Sequence, residues 1–344
     1  MKRPLLALLM LVSAAMQHLS AQDIHWAHIH ASPVYLNPAM TGLFEGDTRF
    51  IGNVRSQWNA FTKGYKTSMG SVDTKLKAIR GRDILAGGFQ VFSDEAGDLD
   101  FSTKSTSFSL SYLKAFDDKG KNFISVGLTN SFMANTVDFS KIVAFDRIDG
   151  IDERTPNNIR YWSISSGIAW FHGFNKYNMM YFGASLFHLN NPVVSFVERD
   201  TPERENLLYR KLVLHGGGTF RLTRSIAIKP SFIFMDQGPH QEITVGTFFR
   251  YASRLSKRGK SKSKAYIGAW LRGSLEKDYR SLDALIVSLG LDYKKTSLTF
   301  SYDLNISTLN RVSAGRGGPE LSIIHIISSE KTRRKPGKVK CPAF

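Results

Sequence analysis

Nine histidines and a single cysteine are the side chains best suited to hold a metal or to act as base or nucleophile. His25, His28 and His30 fall close together, and a strand would put His28 and His30 on one face. A zinc site needs three or four rigidly held ligands. With Cys341 alone there is no internal disulfide and no thiolate cluster. The reading favoured for the three imidazoles is that of scattered side chains near an exported N-terminus. Ser185 with His188, or Ser166 with His172, could be read as a nucleophile and its base. Serine is so frequent in these segments that a chance pairing is expected. No H-E-x-x-H, G-x-S-x-G or phosphate-cradling glycine loop occurs. Gly216-Gly217-Gly218 lies in a strand-like run, where it points to close backbone approach rather than an anion site. No catalytic residue, cofactor or metal is expected.

The elements that would carry such residues set narrower limits. The 344 residues are 42% hydrophobic, 12% aromatic and 22% charged, with mean hydropathy -0.19. Disordered chains lack this much apolar and aromatic material. No apolar run reaches the length of a membrane helix. Forty-six basic against 29 acidic residues give +17, which suits nucleic acid, an anionic membrane face or acidic partners. The N-terminus narrows that choice. Lys2 and Arg3 precede an apolar stretch from Pro4 to Met16, then Gln17 to Ala21, with a cut expected before Gln22. This is the layout of a secretory signal. An uncleaved anchor helix is the alternative. Removing the two basic residues of 1–21 leaves +15. Export makes nucleic acid a poor partner.

The body has period two almost throughout. Leu298, Phe300, Tyr302 and Leu304 alternate with Thr299, Ser301 and Asp303. Ile243, Val245, Thr247, Phe249 and Tyr251 oppose Glu242, Thr244 and Arg250. Serines alternate with Phe108, Leu110 and Tyr112. Such alternation gives each strand one apolar and one mixed face. Fourteen strands are expected, near 48–58, 64–76, 83–93, 101–116, 121–134, 160–173, 178–189, 208–221, 224–236, 241–252, 264–276, 283–294, 296–306 and 318–329. Their length suits a tilted bilayer crossing of about 9–11 residues. Only a closed barrel satisfies backbone polar groups in lipid without an edge. The predicted fold is therefore an all-β antiparallel transmembrane barrel over 48–329, its polar faces (Glu242, Arg250, Arg272, Asp292, Asp303) lining the interior. The even connections are short, Ser253 to Ser263 excepted, and several odd ones, 135–159, 190–207 and 307–317, are long, as in bacterial barrels. Aromatics at strand ends (Tyr161, Trp162, Trp170, Phe171, Tyr177, Tyr181, Tyr251, Tyr266, Tyr293) read as interfacial girdles. A large soluble two-sheet protein is the competing architecture.

The chain ends carry the most specific residues. ASPVYLNPAMTGLFEGDTRF runs from Ala31 to Phe50, followed by Arg55, Gln57 and Trp58. Pro33 and Pro38 exclude a central strand, and Asn37-Pro38 and Thr41-Gly42 signal turns. Residues 22–47 are thus expected to plug or cap the periplasmic mouth. At the far end stand YDLNIS (Tyr302–Ser307), GRGGPELSI (Gly315–Ile323) and Cys341-Pro342-Ala343-Phe344. These motifs resemble those of the PorP/SprF outer-membrane proteins of the type IX secretion system of Bacteroidota. Ile24 to His30 departs from that pattern.

The resemblance implies a non-enzymatic outer-membrane barrel serving type IX secretion, and gliding motility where adhesins are exported. It implies two roles, left open here. One is binding the C-terminal signal domains of cargo proteins at the cell surface. The other is coupling the outer membrane to periplasmic ring or peptidoglycan-binding subunits. Candidate plug and partner residues are Tyr35, Asn37, Pro38, Thr41, Gly42, Arg254, Arg258, Lys260, Asp303, Asn305, Arg316, Cys341 and Phe344. The basic 254–262 hairpin and the 330–344 tail, expected in the periplasm, would suit an acidic partner. Phe344 is expected outside the barrel wall. Cys341 is a free thiol, a cross-link to a partner, or inert. A passive porin and an outer-membrane lipase are the functional alternatives.

Overall fold

In the computed structural model the described residues are 26, 31–57, 64–78, 83–97, 100–117, 121–138, 157–196, 207–252, 263–276, 279–307 and 317–328. Fourteen strands form one closed antiparallel barrel, each paired to its sequence neighbours, with the first and last completing the ring. They are β1 Thr48–Gln57, β2 Tyr65–Ala78, β3 Ile84–Ala96, β4 Phe101–Ala115, β5 Asn122–Thr136, β6 Asn158–Gly173 and β7 Met179–Phe187. The second half comprises β8 Lys211–Arg221, β9 Ile226–Gln237, β10 His240–Ala252, β11 Ser263–Glu276, β12 Tyr279–Tyr293, β13 Thr296–Asn305 and β14 Gly318–Ile327. Closure removes the unpaired edges that an open sheet would present.

The alternation read from sequence sorts the two faces. On β4, Ser105, Ser107, Ser109 and Ser111 point inward and are buried, while Phe108 and Leu110 point outward and are 62% and 58% exposed. A water-soluble protein would bury the phenylalanine and expose the serines. Outward Val245 and Phe249 on β10, Leu289 and Leu291 on β12, and Leu321 and Ile323 on β14 repeat the pattern. The wall is therefore greasy outside and hydroxyl-rich inside, the arrangement of a barrel solvated by lipid.

The aromatic girdle needs correction. Trp162, Tyr177, Tyr251 and Tyr293 are exposed on the outer face or at the rim, whereas Tyr161, Phe171 and Tyr181 are buried in the lumen. Tyr266 also points inward, edge-on to Phe248 at 5.8 Å. These four pack the interior and belong to no lipid-facing belt.

Where β1 begins and β14 ends, the connections are 79–83, 116–121, 174–178, 222–225, 253–262 and 294–295. The opposite mouth carries the long connections 137–157, 188–210 and 306–317. The short 97–100, 238–239 and 277–278 also lie there, so length alternates less strictly than the sequence suggested.

Residues 31–47 lie inside the ring. A one-turn helix, α1 (Pro33–Leu36), is followed by a 3-10 turn at Pro38–Met40. Each proline sits at a helix start, where the missing N–H costs nothing. Ala39, Met40, Leu43 and Phe44 are at most 1% exposed.

Candidate functional site: the plugged lumen

The segment from Asn37 to Gly42 crosses the inner wall from β8 to β2, and small residues make its path. Gly88 (β3), Ser109 (β4), Gly127 (β5), Gly167 (β6) and Gly183 (β7) occupy inward positions on five successive strands. A Cβ on Gly127 would come within 2.5 Å of the Ala39 nitrogen and closer still to the Pro38 carbonyl. On Gly167 it would run into the Asn37 amide, and on Gly183 it would lie 2.6 Å from His215 Cε1 and 2.9 Å from Asn37 Nδ2. The wall is hollowed along a trough that the plug backbone fills.

Polar contacts lock the plug there. Asn37 Oδ1 accepts from Ala39 N–H at 2.8 Å, closing the local turn. Its Nδ2 donates toward Ile168 O (3.1 Å), Ala184 O (3.2 Å) and His215 Nε2 (2.9 Å). Because the amide nitrogen, with two protons shared among these three neighbours, can only donate, His215 Nε2 is the acceptor in this contact. Ser185 Oγ donates to Leu36 O at 2.9 Å, Thr41 Oγ1 to Ser109 Oγ at 3.0 Å, and Ser111 Oγ to Thr41 O at 2.7 Å. Asn53 donates to Ser32 Oγ.

At the end where β1 starts, Asp73 gathers the plug and the wall. Its carboxylate accepts from Gly42 N–H at 2.7 Å and from Arg49 Nε and Nη2 at 2.9 and 2.7 Å. Arg49 Nη2 also reaches Met40 O at 3.3 Å, and its guanidinium lies 4.7 Å from the Phe44 ring centre. Arg49 and Asp73 side chains are 2% and 0% exposed. Such a pair is bidentate and geometrically specific. Gly42 adopts φ +74°, a left-handed turn that suits glycine. Toward the opposite mouth Trp26, Leu36, Met69, Val213, Ile233 and Met235 form an apolar cluster. Tyr35 packs edge-on to Phe92 at 6.0 Å, and Lys211 Nζ lies 5.3 Å from its ring.

On the β10–β12 side the wall's own side chains pack together inside the lumen. Phe248, Trp270, Ala284 and Ile286 form a buried layer, and Trp270 Nε1 donates to Ser231 Oγ at 3.1 Å. Beyond it Asp303 accepts from Arg55 (2.8 Å) and Arg272 (2.7 Å), and Glu242 lies 3.9 Å from Arg272.

The sequence candidates therefore separate. Tyr35, Asn37, Pro38, Thr41 and Gly42 meet in the plug. Asp303 is inside the barrel but in the charged network. Asn305 is at the rim, its Oδ1 accepting from Ser307 N–H and Oγ at 3.0 and 2.8 Å. Arg254, Arg258, Lys260, Arg316, Cys341 and Phe344 fall outside the described residues, as do the signal segment, His25, His28, His30 and the 330–344 tail. Glycines of the GRGGPELSI run serve close packing, since Gly317 lies against the Asp303 backbone and Gly318 against Gln57. The imagined serine–histidine pairs are not formed: Ser185 serves the plug, His188 Nδ1 lies 2.8 Å from Ser163 Oγ, and His172 Nδ1 lies 2.6 Å from Asn122 Oδ1. Among the described residues no group of His, Cys, Asp or Glu is placed to hold a metal. Sequence reasoning missed His215, Asp73 and the glycine trough.

Comparison with solved structures returns membrane barrels. The TodX monoaromatic hydrocarbon channel aligns over 86% of this chain and 93% of its own, with TM-score 0.49 and 6% identity. A Pseudomonas aeruginosa FadL homologue aligns over 86% and 94%, with TM-score 0.48 and 10% identity. These likenesses carry no functional argument. No curated protein matches the chain. The family model for the type IX secretion system membrane protein PorP/SprF matches residues 19–323. Lipid-facing wall, closed ring and family match agree: the chain belongs to the PorP/SprF family and is an outer-membrane component of type IX secretion.

Proposed function

We propose that this barrel works as a closed adaptor, non-enzymatic and not a conduit. In this reading, the mouth with the long connections 137–157 and 188–210 faces outside and engages the C-terminal signal domain of a cargo protein. The opposite mouth faces the periplasm and couples to ring or peptidoglycan-binding subunits. The observation that carries the reading is the plug. Asn37 to Gly42 is hydrogen-bonded into a glycine trough, and a buried layer of Phe248, Trp270 and Ile286 projects into the lumen from β10–β12. A passive porin would need that space for solute.

The connections support the orientation by their chemistry. The segment linking β10 to β11 holds Arg254, Lys257, Arg258, Lys260 and Lys262 with no acidic residue. Lys294 and Lys295 stand at the same mouth. Acidic periplasmic partners would be steered there.

The test is deletion of 139–156 and of 197–206, singly and together, followed by measurement of cargo held on whole cells and of barrel abundance. Loss of surface cargo with the barrel intact is expected. Unchanged cargo after the double deletion removes the surface role. Neutralising 254–262 should reduce recovery of periplasmic partners, and undiminished recovery removes the coupling role.

A further inference from the structure

Inside the mouth where β1 begins, the wall of β9–β11 brings three cations together. Lys229, Arg250 and Lys264 all project into the lumen, with Phe248, Tyr266 and Asp292 between them. Lys264 Nζ is 3.5 Å from Asp292, the Tyr266 hydroxyl donates to the same carboxylate, and Lys229 Nζ lies 5.4 Å from the Tyr266 ring centre. Arg250 and Lys264 act on Lys229 as like charges, and Asp292 acts on it as an opposite one. Three cations thus meet one carboxylate, Asp292, among the described residues. Arg250 hydrogen-bonds the Tyr266 hydroxyl, but its Nε is buried and, among the described residues, meets no acceptor. A buried donor without an acceptor, beside surplus like charge, is an arrangement completed by an oxyanion.

We propose that this lumenal corner binds carboxylates of an acidic peptide segment from a periplasmic partner. Its inward placement keeps bilayer headgroups on the far side of the wall, while outward Phe249 and Tyr251 face them. The neighbouring 254–262 stretch, with five cations and no acid, would draw an acidic strand toward the opening. The Phe248–Trp270–Ile286 layer limits how deep a peptide can pass. The inference deepens the coupling role and depends on it only for which side of the membrane this mouth faces.

The test uses the full mature chain in nanodiscs, titrated with oligoglutamate, oligoglutamine, and inorganic phosphate. Oligoglutamate should bind in a salt-sensitive way and protect Lys229 and Lys264 from amine acetylation, whereas oligoglutamine should not. The K229Q/R250Q/K264Q protein should bind about tenfold or more weakly. Replacing the five cations of 254–262 by glutamine should slow capture but leave the protection of Lys229. Binding unchanged in the triple variant overturns the proposal. So does loss of protection in the hairpin variant, protection by phosphate alone, or protection by phosphatidylglycerol discs without peptide. Should the triple variant fail to fold, K229Q alone and acetylation of the wild type decide. Because purified protein is used, failure here leaves the secretion tests of the adaptor reading standing.

Discussion

Asn37 in the plug and His215 on β8 meet at 2.9 Å, amide nitrogen to imidazole nitrogen, across 178 residues of chain. The contact joins the segment ahead of the first strand to the wall nearly halfway round the ring. It also makes Nε2 of a buried histidine the acceptor, since Asn37 Oδ1 is already engaged by Ala39.

Removing that amide should loosen the plug without dissolving the barrel. Asn37→Ala withdraws the side-chain donor shared by the Ile168 and Ala184 carbonyls and the buried His215 Nε2, at a cost of about 1–3 kcal/mol. Faster proteolytic cleavage within 31–47 is expected, with the folded barrel band on unheated gels retained. Asn37→Asp should be the worse substitution, because it turns an acceptor toward two carbonyl oxygens.

Filling the trough tests the same closure from the wall side. Gly127→Ala or Gly167→Ala places a methyl where Pro38 and Asn37 now sit. Overpacking of this kind costs about 1–3 kcal/mol. The expected readout in planar bilayers is fluctuating ion conductance that the wild-type protein lacks. A wild type that itself conducts steadily would contradict the closed-adaptor reading.

Asp303 should matter to stability more than to the plug. Asp303→Asn withdraws the carboxylate charge that Arg55 and Arg272 share, and breaking a buried pair costs about 3–5 kcal/mol. Heat-induced unfolding should shift to lower temperature while protease access to 31–47 changes little.

One acid-sensitive corner lies at the mouth just ahead of β3. Asp83 is held below its ordinary value of 3.8 chiefly by the hydrogen bond from Tyr112, helped by Lys114 and the Ala115 N–H. A depressed carboxylate stabilises the fold above its ordinary value, and that contribution fades as pH falls through the lowered one. The protection factor of the Ala115 amide, its exchange measured against the intrinsic rate at each pH, should therefore drop on acidification below about pH 4. Asp83→Asn should exchange faster at neutral pH and lose the dependence.

Much of this was legible because a barrel writes itself in local alternation. The serines of β4 and the leucines of β12 show both the strand and the side that faces lipid. The inward aromatics were legible too, through parity. On β6, Tyr161 and Phe171 share the phase of Ser163, Ser165, Gly167 and Ala169, while Trp162 and Trp170 share that of Ile164 and Ile168. Position at a strand end misled where phase would have sorted them. The trough was not legible. Gly88, Gly127, Gly167 and Gly183 become neighbours only through register, which no single strand encodes. The Asn37–His215 contact and the shared Asp73 carboxylate depend on the same long-range geometry.

The wall partners that hydrogen-bond residues 32–44 are drawn from Arg49 to His215. The polar cradle of Asn37 to Gly42 thus lies within the first eight strands, and β9 adds Ile233 and Met235 against Leu36. The seam between β14 and β1 therefore closes on the side of the ring away from His215, and β14 meets the entering segment at its end, where Asp47 N–H donates to Ile327 O.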